Sequence, residues 1–165
     1  METHMENNKM LYSHVSVDCV LLGVNEDKLC VLLIERQMDN SDEKRYKLPG
    51  SLIFENEDLD TAAHRVFNEA TGLKRVPLKQ FRSFGSPSRT KNKDDMQWLE
   101  NAMKLKIERI VTVAYLALSK IGRKSNPTNK YNSLAWFPVD ALPSLPFDHK
   151  EIIEAAVEEI REWVE

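Results

Sequence analysis

The chain has 165 residues, and 23 Lys and Arg against 26 Asp and Glu give it a formal net charge of −3. This near-neutral balance argues against bulk electrostatic binding of nucleic acid, although it leaves room for a local basic groove. Apolar residues make up 42% of the chain, which is typical of an ordinary globular protein, and the length indicates one domain.

The N-terminal segment lacks the apolar stretch of a signal peptide, so residues 1–12 are predicted to be a flexible N-terminus and residues 13–165 the domain. The longest apolar runs span about six residues, far below the roughly 20 that a transmembrane helix needs. Cys19 and Cys30 lie inside apolar runs and are predicted to be free thiols of a cytoplasmic protein. A cross-strand disulfide between them is the less favoured alternative.

The first half of the domain predicts a hairpin followed by a helix. Residues 14–24 and 29–34 are β-type runs separated by a short polar turn, the pattern of two paired strands. Across residues 59–71, apolar residues recur at i, i+3, i+4, i+7, i+8 and i+11, which predicts one amphipathic helix. Gly72 follows where a helix commonly ends in a left-handed residue.

The second half predicts more strand and a closing helix. Residues 85–95 read as a polar loop, 96–106 as weakly helical, 110–118 as a buried strand, 119–131 as a loop and 134–137 as a short strand.

The closing helix is predicted over residues 148–164, where Asp148 and Glu151 have the spacing of a capping box. This order of elements predicts a mixed α/β fold in which helices cover a central mixed sheet.

The segment over residues 47–73 contains a spaced set of residues that resembles the Nudix box. That pattern is Gly, five residues, Glu, seven residues, Arg-Glu, an apolar residue, any residue, Glu-Glu, any residue, Gly and an apolar residue. The matching positions here are Glu57, Arg65, Phe67, Glu69, Gly72 and Leu73. Three positions depart from the pattern, since Ser51 replaces the first Gly, and Val66 and Ala70 replace two of the helix Glu residues. An ordinary amphipathic core helix is the alternative interpretation, and the fixed spacing favours the box.

The departures remove most of the chemistry that the box supplies. Three carboxylates at i, i+3 and i+4 lie on one side of a helix, where their oxygens can hold Mg²⁺. Such ions would neutralise a pyrophosphate and activate water. Only Glu69 of the three remains here, so the sequence predicts no metal site. Arg65 and Glu57 also remain, and in the family these groups help to hold the loop on the helix.

The resemblance extends over roughly residues 14–164. In detail, the chain is similar to the Nudix-related transcriptional regulators of NAD metabolism. One departure is the longer connection over residues 90–108. The segments that carry this resemblance are Glu35-Arg36, Tyr46, Gln80-Phe81, the loop from Phe84 to Arg89, the strand from Arg109 to Tyr115, Trp136, Leu142-Pro143, and Phe147-Asp148-His149 with Ile152-Ile153.

The resemblance implies a Nudix α/β/α sandwich with a central mixed sheet. It implies an effector-sensing domain that binds ADP-ribose or a related nucleotide sugar without efficient hydrolysis and without a required cofactor. The expected partners are a second copy of the chain and operator DNA, contacted through a winged-helix domain expected after residue 165 and absent from this chain. No membrane contact is expected.

The residues predicted to bind the ligand combine cations, a close-approach turn and one histidine. Arginine forks and lysine charges suit a diphosphate, a glycine lets the backbone approach a ligand, and an imidazole can bond a hydroxyl. The bland alternatives are solvated surface charges, a plain turn and a first-turn helix residue. The predicted set is Arg36, Lys47, Gly50, Ser51, Arg65, Glu69, Arg89, Arg109 and His149.

Two other functions fit the same sequence. The first is an active Nudix hydrolase of ADP-ribose-type compounds, in which Glu69 and Glu57 hold Mg²⁺ with help from substrate phosphates. The second is an interaction domain without a small ligand. Four aromatic residues are candidates to stack on adenine, although core packing is their default role, namely Tyr46, Phe81, Phe84 and Trp136.

Overall fold

A computed structural model describes residues 10–36, 44–120 and 133–163 of the chain. Within these ranges the chain forms strands, helices and one short 3₁₀ helix. In chain order they are β1 (Leu11–Asn25), β2 (Lys28–Arg36), β3 (Arg45–Lys47), β4 (Gly50–Phe54), α1 (Leu59–Thr71), β5 (Lys79–Phe84), the 3₁₀ helix (Pro87–Thr90), α2 (Lys93–Met103), β6 (Val111–Lys120), β7 (Leu134–Pro138) and α3 (His149–Trp163).

Strand β1 lies at the centre of a mixed sheet with the order β3-β2-β1-β6-β5. It runs parallel to β6 and antiparallel to β2 and β4, while β7 pairs with β2. The predicted hairpin is confirmed, because Leu22 lies opposite Val31 in an antiparallel pair. The predicted central mixed sheet is therefore confirmed as well.

Successive residues of β1 face opposite sides of this sheet, as the pleat requires. Val17, Cys19 and Leu21 pack against α1, whereas Val20 and Leu22 pack against α3. Burial on both sides explains why the strand is almost continuously apolar. The result is the predicted sandwich of helix, sheet and helix. Both cysteines are buried free thiols, so the alternative of a disulfide between them is wrong.

Helix α1 has the predicted bounds because both of its ends are fixed by local chemistry. The Asp58 side chain accepts a 2.8 Å hydrogen bond from the Thr61 N–H at the start. At the other end Gly72 has a φ of 75°, and its N–H donates to the Asn68 carbonyl. That left-handed conformation favours glycine, because other residues are strained there.

Several boundaries differ from the sequence-based expectation. Strand β1 begins at Leu11, so residues 11 and 12 belong to the sheet, and residues 1–9 lie outside the described part. Helix α2 begins at Lys93 rather than 96, because the Asn92 side chain caps it by accepting from the Asp95 N–H. Strands β3, β4 and β5 were not predicted.

The C-terminal part of the described chain also differs in two details. Both carboxylate oxygens of Asp148 accept from Arg89, so that carboxylate holds the 3₁₀ helix instead of capping α3 as predicted. Strand β6 continues to Lys120, so residues 119 and 120 of the predicted 119–131 loop belong to the strand. Residues 121–131 of that loop lie outside the described residues. Among the described helices, none combines the length and apolarity needed to cross a bilayer.

Candidate functional site

The box segment forms a tight lock between the loop after β4 and helix α1. Arg65 Nε donates to Glu57 Oε2 at 2.6 Å, and Arg65 Nη2 donates to Glu57 Oε1 at 2.9 Å. The Phe54 N–H also donates to Glu57, and the guanidinium lies 3.9 Å from the centroid of the Phe54 ring. Burial alone would raise the pKa of Glu57, but these donors together lower it. Glu57 is therefore a structural carboxylate, fully engaged by its neighbours.

Two of the three helix positions that would carry metal ligands are apolar and packed against the core. Val66 is 4% exposed within the core of the α1 face, and Ala70 packs against the same core. Glu69 is two-thirds exposed and lies 3.6 Å from Arg65. No group of three or more His, Cys, Asp or Glu side chains comes together in the described part of the chain. This donor set does not fit the Mg²⁺ that the Nudix fold implies, because one exposed carboxylate is a weak ligand for a hard cation.

A partly open cavity lies on the other face of the sheet. Its inner part is polar, and its walls are largely apolar. The polar lining residues are Ser16, Asp18, Lys47, Ser51, Arg89, Thr112 and His149. Gly50 and the side chains of Leu52, Trp98, Leu99, Met103, Ile110 and Phe147 complete the lining. A concave site with apolar walls and a few converging polar groups is the usual form of a small-molecule pocket.

A histidine and a carboxylate meet at the inner end of this cavity. His149 Nδ1 accepts a 3.2 Å hydrogen bond from the Leu48 N–H, so the neutral ring carries its proton on Nε2. That nitrogen lies 3.6 Å from Asp18 Oδ2. Burial, with Lys47, Arg89 and Arg36 nearby, holds the pKa of His149 well below its usual value. Burial raises the pKa of Asp18 to about 6, against the opposing charges of Lys47 and Arg89.

Gly50 makes room for that carboxylate. A Cβ atom at Gly50 would lie 1.8 Å from Asp18 Oδ1 and 2.8 Å from the Val17 carbonyl oxygen. The glycine is therefore required for the close approach of β4 to β1. This arrangement places the predicted Gly50 and Ser51 in the lining of the cavity.

The predicted cations around the cavity already have partners in the protein. Lys47 donates to the Gly50 carbonyl at 3.1 Å, and burial lowers the pKa of Lys47. Arg36 donates to Asp95 of α2 at 3.2 Å and lies over the Trp98 ring. Its buried Nε has no hydrogen-bond partner among the described residues.

Arg89 is the most fully engaged of these cations. It binds both oxygens of Asp148 at 2.8 and 2.9 Å, and it also donates to the Ile110 carbonyl at 3.0 Å. Arg109 is exposed and donates to the Gly85 carbonyl, and it does not line the cavity.

The structure thus brings five of the nine predicted ligand residues into one cavity. These are Lys47, Gly50, Ser51, Arg89 and His149, with Arg36 next to them through Asp95. Arg65 and Glu69 lie on the box helix and Arg109 on the surface, outside the lining. The four candidate stacking aromatics pack against the two cores, as their default role predicts.

Sequence reasoning missed two parts of the cavity. Asp18 was not singled out, although a carboxylate within a strand of buried apolar residues is itself a signal of a special position. Trp98 and its neighbours were missed because helix α2 lies in the longer connection for which the resemblance offered no guide.

A model of the NUDIX domain matches residues 12–156. The chain belongs to the NUDIX domain family. The sequence is 29% identical over 147 residues to the ADPR responsive transcriptional repressor NtrR of Acinetobacter baylyi, covering 86% of this chain and 52% of the repressor. The chain thus spans about half the length of that relative.

Two solved structures show the same fold. A mutT/nudix family protein from Listeria innocua has a TM-score of 0.67 and 24% identity, covering 92% of this chain and 96% of its own. The NUDIX domain of Shewanella oneidensis NrtR, solved in complex with ADP ribose, has a TM-score of 0.63 and 24% identity. That match covers 96% of this chain and 97% of the NrtR chain. At this identity the likeness establishes the fold alone.

Proposed function

We propose that this domain senses ADP-ribose or a related nucleotide sugar in the cavity, without efficient hydrolysis, as the effector domain of a transcriptional regulator. The carrying observation is the contrast between a box helix with Val66 and Ala70 at ligand positions and a cavity that keeps its polar groups. The likeness to an ADPR responsive repressor supports the same class of effector.

Binding without the metal is chemically reasonable at this site. A nucleotide sugar offers a flat base, hydroxyl groups and a diphosphate. The cavity offers apolar walls for the base, together with hydroxyl groups, a carboxyl group and the cations Lys47 and Arg89 in its lining. Lys47, Arg36 and Arg89 would meet the diphosphate by exchanging their present protein acceptors for phosphate oxygens, which bind arginine forks well.

The regulatory step is a population shift. A ligand that binds one arrangement of a homodimer more tightly favours that arrangement, and the attached DNA-reading module changes its affinity for the operator by the same coupling free energy. In this proposal the protein acts in the cytoplasm, and its DNA contacts come from a module outside the sequence described here.

The deciding experiment measures binding and turnover side by side. Calorimetry and thermal unfolding are recorded with ADP-ribose in EDTA and again with Mg²⁺, while product formation is followed by chromatography. At a ligand concentration 100-fold above Kd we expect a rise in Tm of about 5–10 °C that does not need the metal. We expect no appreciable release of AMP.

Two results would contradict this function. Stabilisation that strictly requires Mg²⁺, with cleavage that disappears in Glu69→Gln, would identify a hydrolase. Absence of both heat and thermal stabilisation would leave an interaction domain without a small ligand. Glu154→Gln, a change on the exposed side of α3, is the matched control for loss of a carboxylate.

A further inference from the structure

Asp18 is a buried carboxylate that faces the cavity without a hydrogen bond. Its side chain is 7% exposed, and the neutral His149 Nε2 lies 3.6 Å from Asp18 Oδ2, beyond hydrogen-bond distance. None of the described residues donates a hydrogen bond to it. The carboxylate is also part of the cavity lining, so its acceptor oxygens point to space that a ligand can enter.

Such a group is destabilising unless it has a use. Buried polar atoms are nearly always paired, and each exception needs an explanation. The charges of Lys47 and Arg89 offset only part of this cost, and the facing residue is Gly50, whose missing side chain leaves the carboxylate its space. The Asp18–Gly50 pair therefore keeps an acceptor at the inner end of the cavity at a cost to folding.

The cavity restricts what can reach that acceptor. Leu52 and Ile110 pack together with Leu99 and Met103 of helix α2, and these residues and Trp98 form the apolar part of the lining. Apolar walls favour a flat ring, and a carboxylate oxygen at the end of the space favours an N–H donor on the edge of that ring. A carbonyl oxygen placed there would face another acceptor and be repelled.

We propose that Asp18 selects the base of the nucleotide by accepting a hydrogen bond from its exocyclic amino group, so that an aminopurine is bound in preference to an oxopurine. This inference rests on the proposed function and names a specificity-determining residue within it. His149 lies next to the carboxylate, with its Nε2 3.6 Å from Asp18 Oδ2, and its ring is held in place because Nδ1 accepts from the Leu48 N–H. The base specificity thus comes from β1, on the face of the sheet opposite to the box helix.

The test compares ADP-ribose with its deaminated analogue, in which hypoxanthine replaces adenine, by calorimetry in EDTA. The wild-type chain should bind ADP-ribose about tenfold more tightly, the size expected for one hydrogen bond to a charged group. Asp18→Asn has the same shape, and its amide both donates and accepts, so the two affinities should come within about twofold of each other. Glu154→Gln should keep the wild-type preference.

A third ligand keeps the test independent of how the variant folds. ADP-ribose with a 6-dimethylamino group has no N–H at that position, and wild-type protein should bind it about tenfold more weakly than ADP-ribose. Equal wild-type affinity for ADP-ribose and the deaminated analogue would overturn the role of Asp18 and leave the proposed function standing. Failure of wild-type protein to bind any of the three would overturn both.

Discussion

The two faces of the sheet carry polar groups in opposite conditions. On the α1 face, Glu57 and Arg65 satisfy each other with bonds of 2.6 and 2.9 Å, and two of the three metal-ligand positions on the helix are aliphatic. On the α3 face, the Asp18 carboxylate is buried without a hydrogen bond, and Arg36 Nε has no partner among the described residues. Satisfied groups hold a structure together, whereas unsatisfied buried groups indicate where a ligand completes the network.

The comparison teaches that the box positions and the cavity occupy separate parts of this fold. The box positions lie on one helix, whereas the cavity is lined by β1, β3, β4, the 3₁₀ helix, α2, β6 and the start of α3. Aliphatic substitutions on the helix extend its apolar stripe and leave the cavity unchanged. A domain can therefore stop cleaving its ligand while it continues to bind it.

Gly50→Ala should have the largest effect, because the new methyl group would overlap Asp18 Oδ1 and approach the Val17 carbonyl. We expect a loss of about 3 kcal/mol in the free energy of unfolding, measured in urea. Gly85→Ala is the matched control, since its Cβ would meet Val111 at an ordinary 3.7 Å. Equal effects of the two changes would show that the close approach of β4 to β1 does not depend on the missing side chain of Gly50.

Glu57→Gln tests the lock on the α1 face. The amide keeps the shape but loses the charge that Arg65 and the Phe54 N–H engage, so we expect a loss of about 2–3 kcal/mol in the free energy of unfolding. Glu69→Gln should cost about 0.5 kcal/mol or less, because exposed pairs contribute little. Guanidinium titrations of both variants provide the measurement. A larger loss for Glu69→Gln would reverse the structural ranking of the two carboxylates.

Asp18→Asn should stabilise the protein without ligand, and only at neutral or alkaline pH. The folded-state pKa of Asp18 is raised from 3.8 to about 6, so the folded state holds this proton more tightly than the unfolded state. The wild-type chain therefore loses stability as pH rises from about 4 to 6, and stays lower above that range. We expect the variant to exceed wild type by about 2 kcal/mol at pH 8.

That advantage should shrink to about 0.5 kcal/mol near pH 4, where the folded-state carboxyl is protonated and the unfolded-state carboxyl is about half protonated. Buried His149 lowers stability on the acid side in both proteins, so the difference between them isolates Asp18. Unfolding in urea at pH 4, 6 and 8 gives the profile, with Glu154→Gln as the exposed control. An advantage that grows toward acid pH would contradict the raised pKa of this buried carboxyl.

Mg²⁺ should have the smallest effect. With one exposed carboxylate left on the box helix, 5 mM Mg²⁺ is expected to change Tm by about 1 °C or less without ligand. Differential scanning fluorimetry of wild type and Glu69→Gln gives the comparison. A rise of several degrees that disappears in Glu69→Gln would mean that the helix still holds a cation, and the contrast between the two faces would fail.

The parts of the fold that sequence could predict are those that local chemistry determines. Helix α1 was predicted with its true bounds because its apolar stripe and Gly72 lie within one short segment, and the Asp58 cap fixes its start. Strands β4 and β5 were missed because each is short and lacks clear alternation. Their conformation depends on pairing with β1 and β6, which are distant in the chain.

The candidate site was predictable in part for the same reason. The resemblance and the chemistry of the side chains identified Lys47, Gly50, Ser51, Arg89 and His149, which the fold then brings into one cavity. Asp18 was missed because its importance depends on Gly50 and His149, which are far from it in sequence. No local pattern shows that a carboxylate in a strand will be buried without a donor.

The parallel pairing of β1 with β6 has a consequence for how the protein is made. Ser16 and Thr112 share a buried 2.6 Å hydrogen bond across 96 positions of the chain. Ribosomes add about 5–20 residues per second, so the first strand waits on the order of 5–20 s for this partner to be synthesised. During that interval its apolar edge is open to chaperones and to other nascent chains. Any fragment that stops before Val111 leaves the nascent sheet split at its middle.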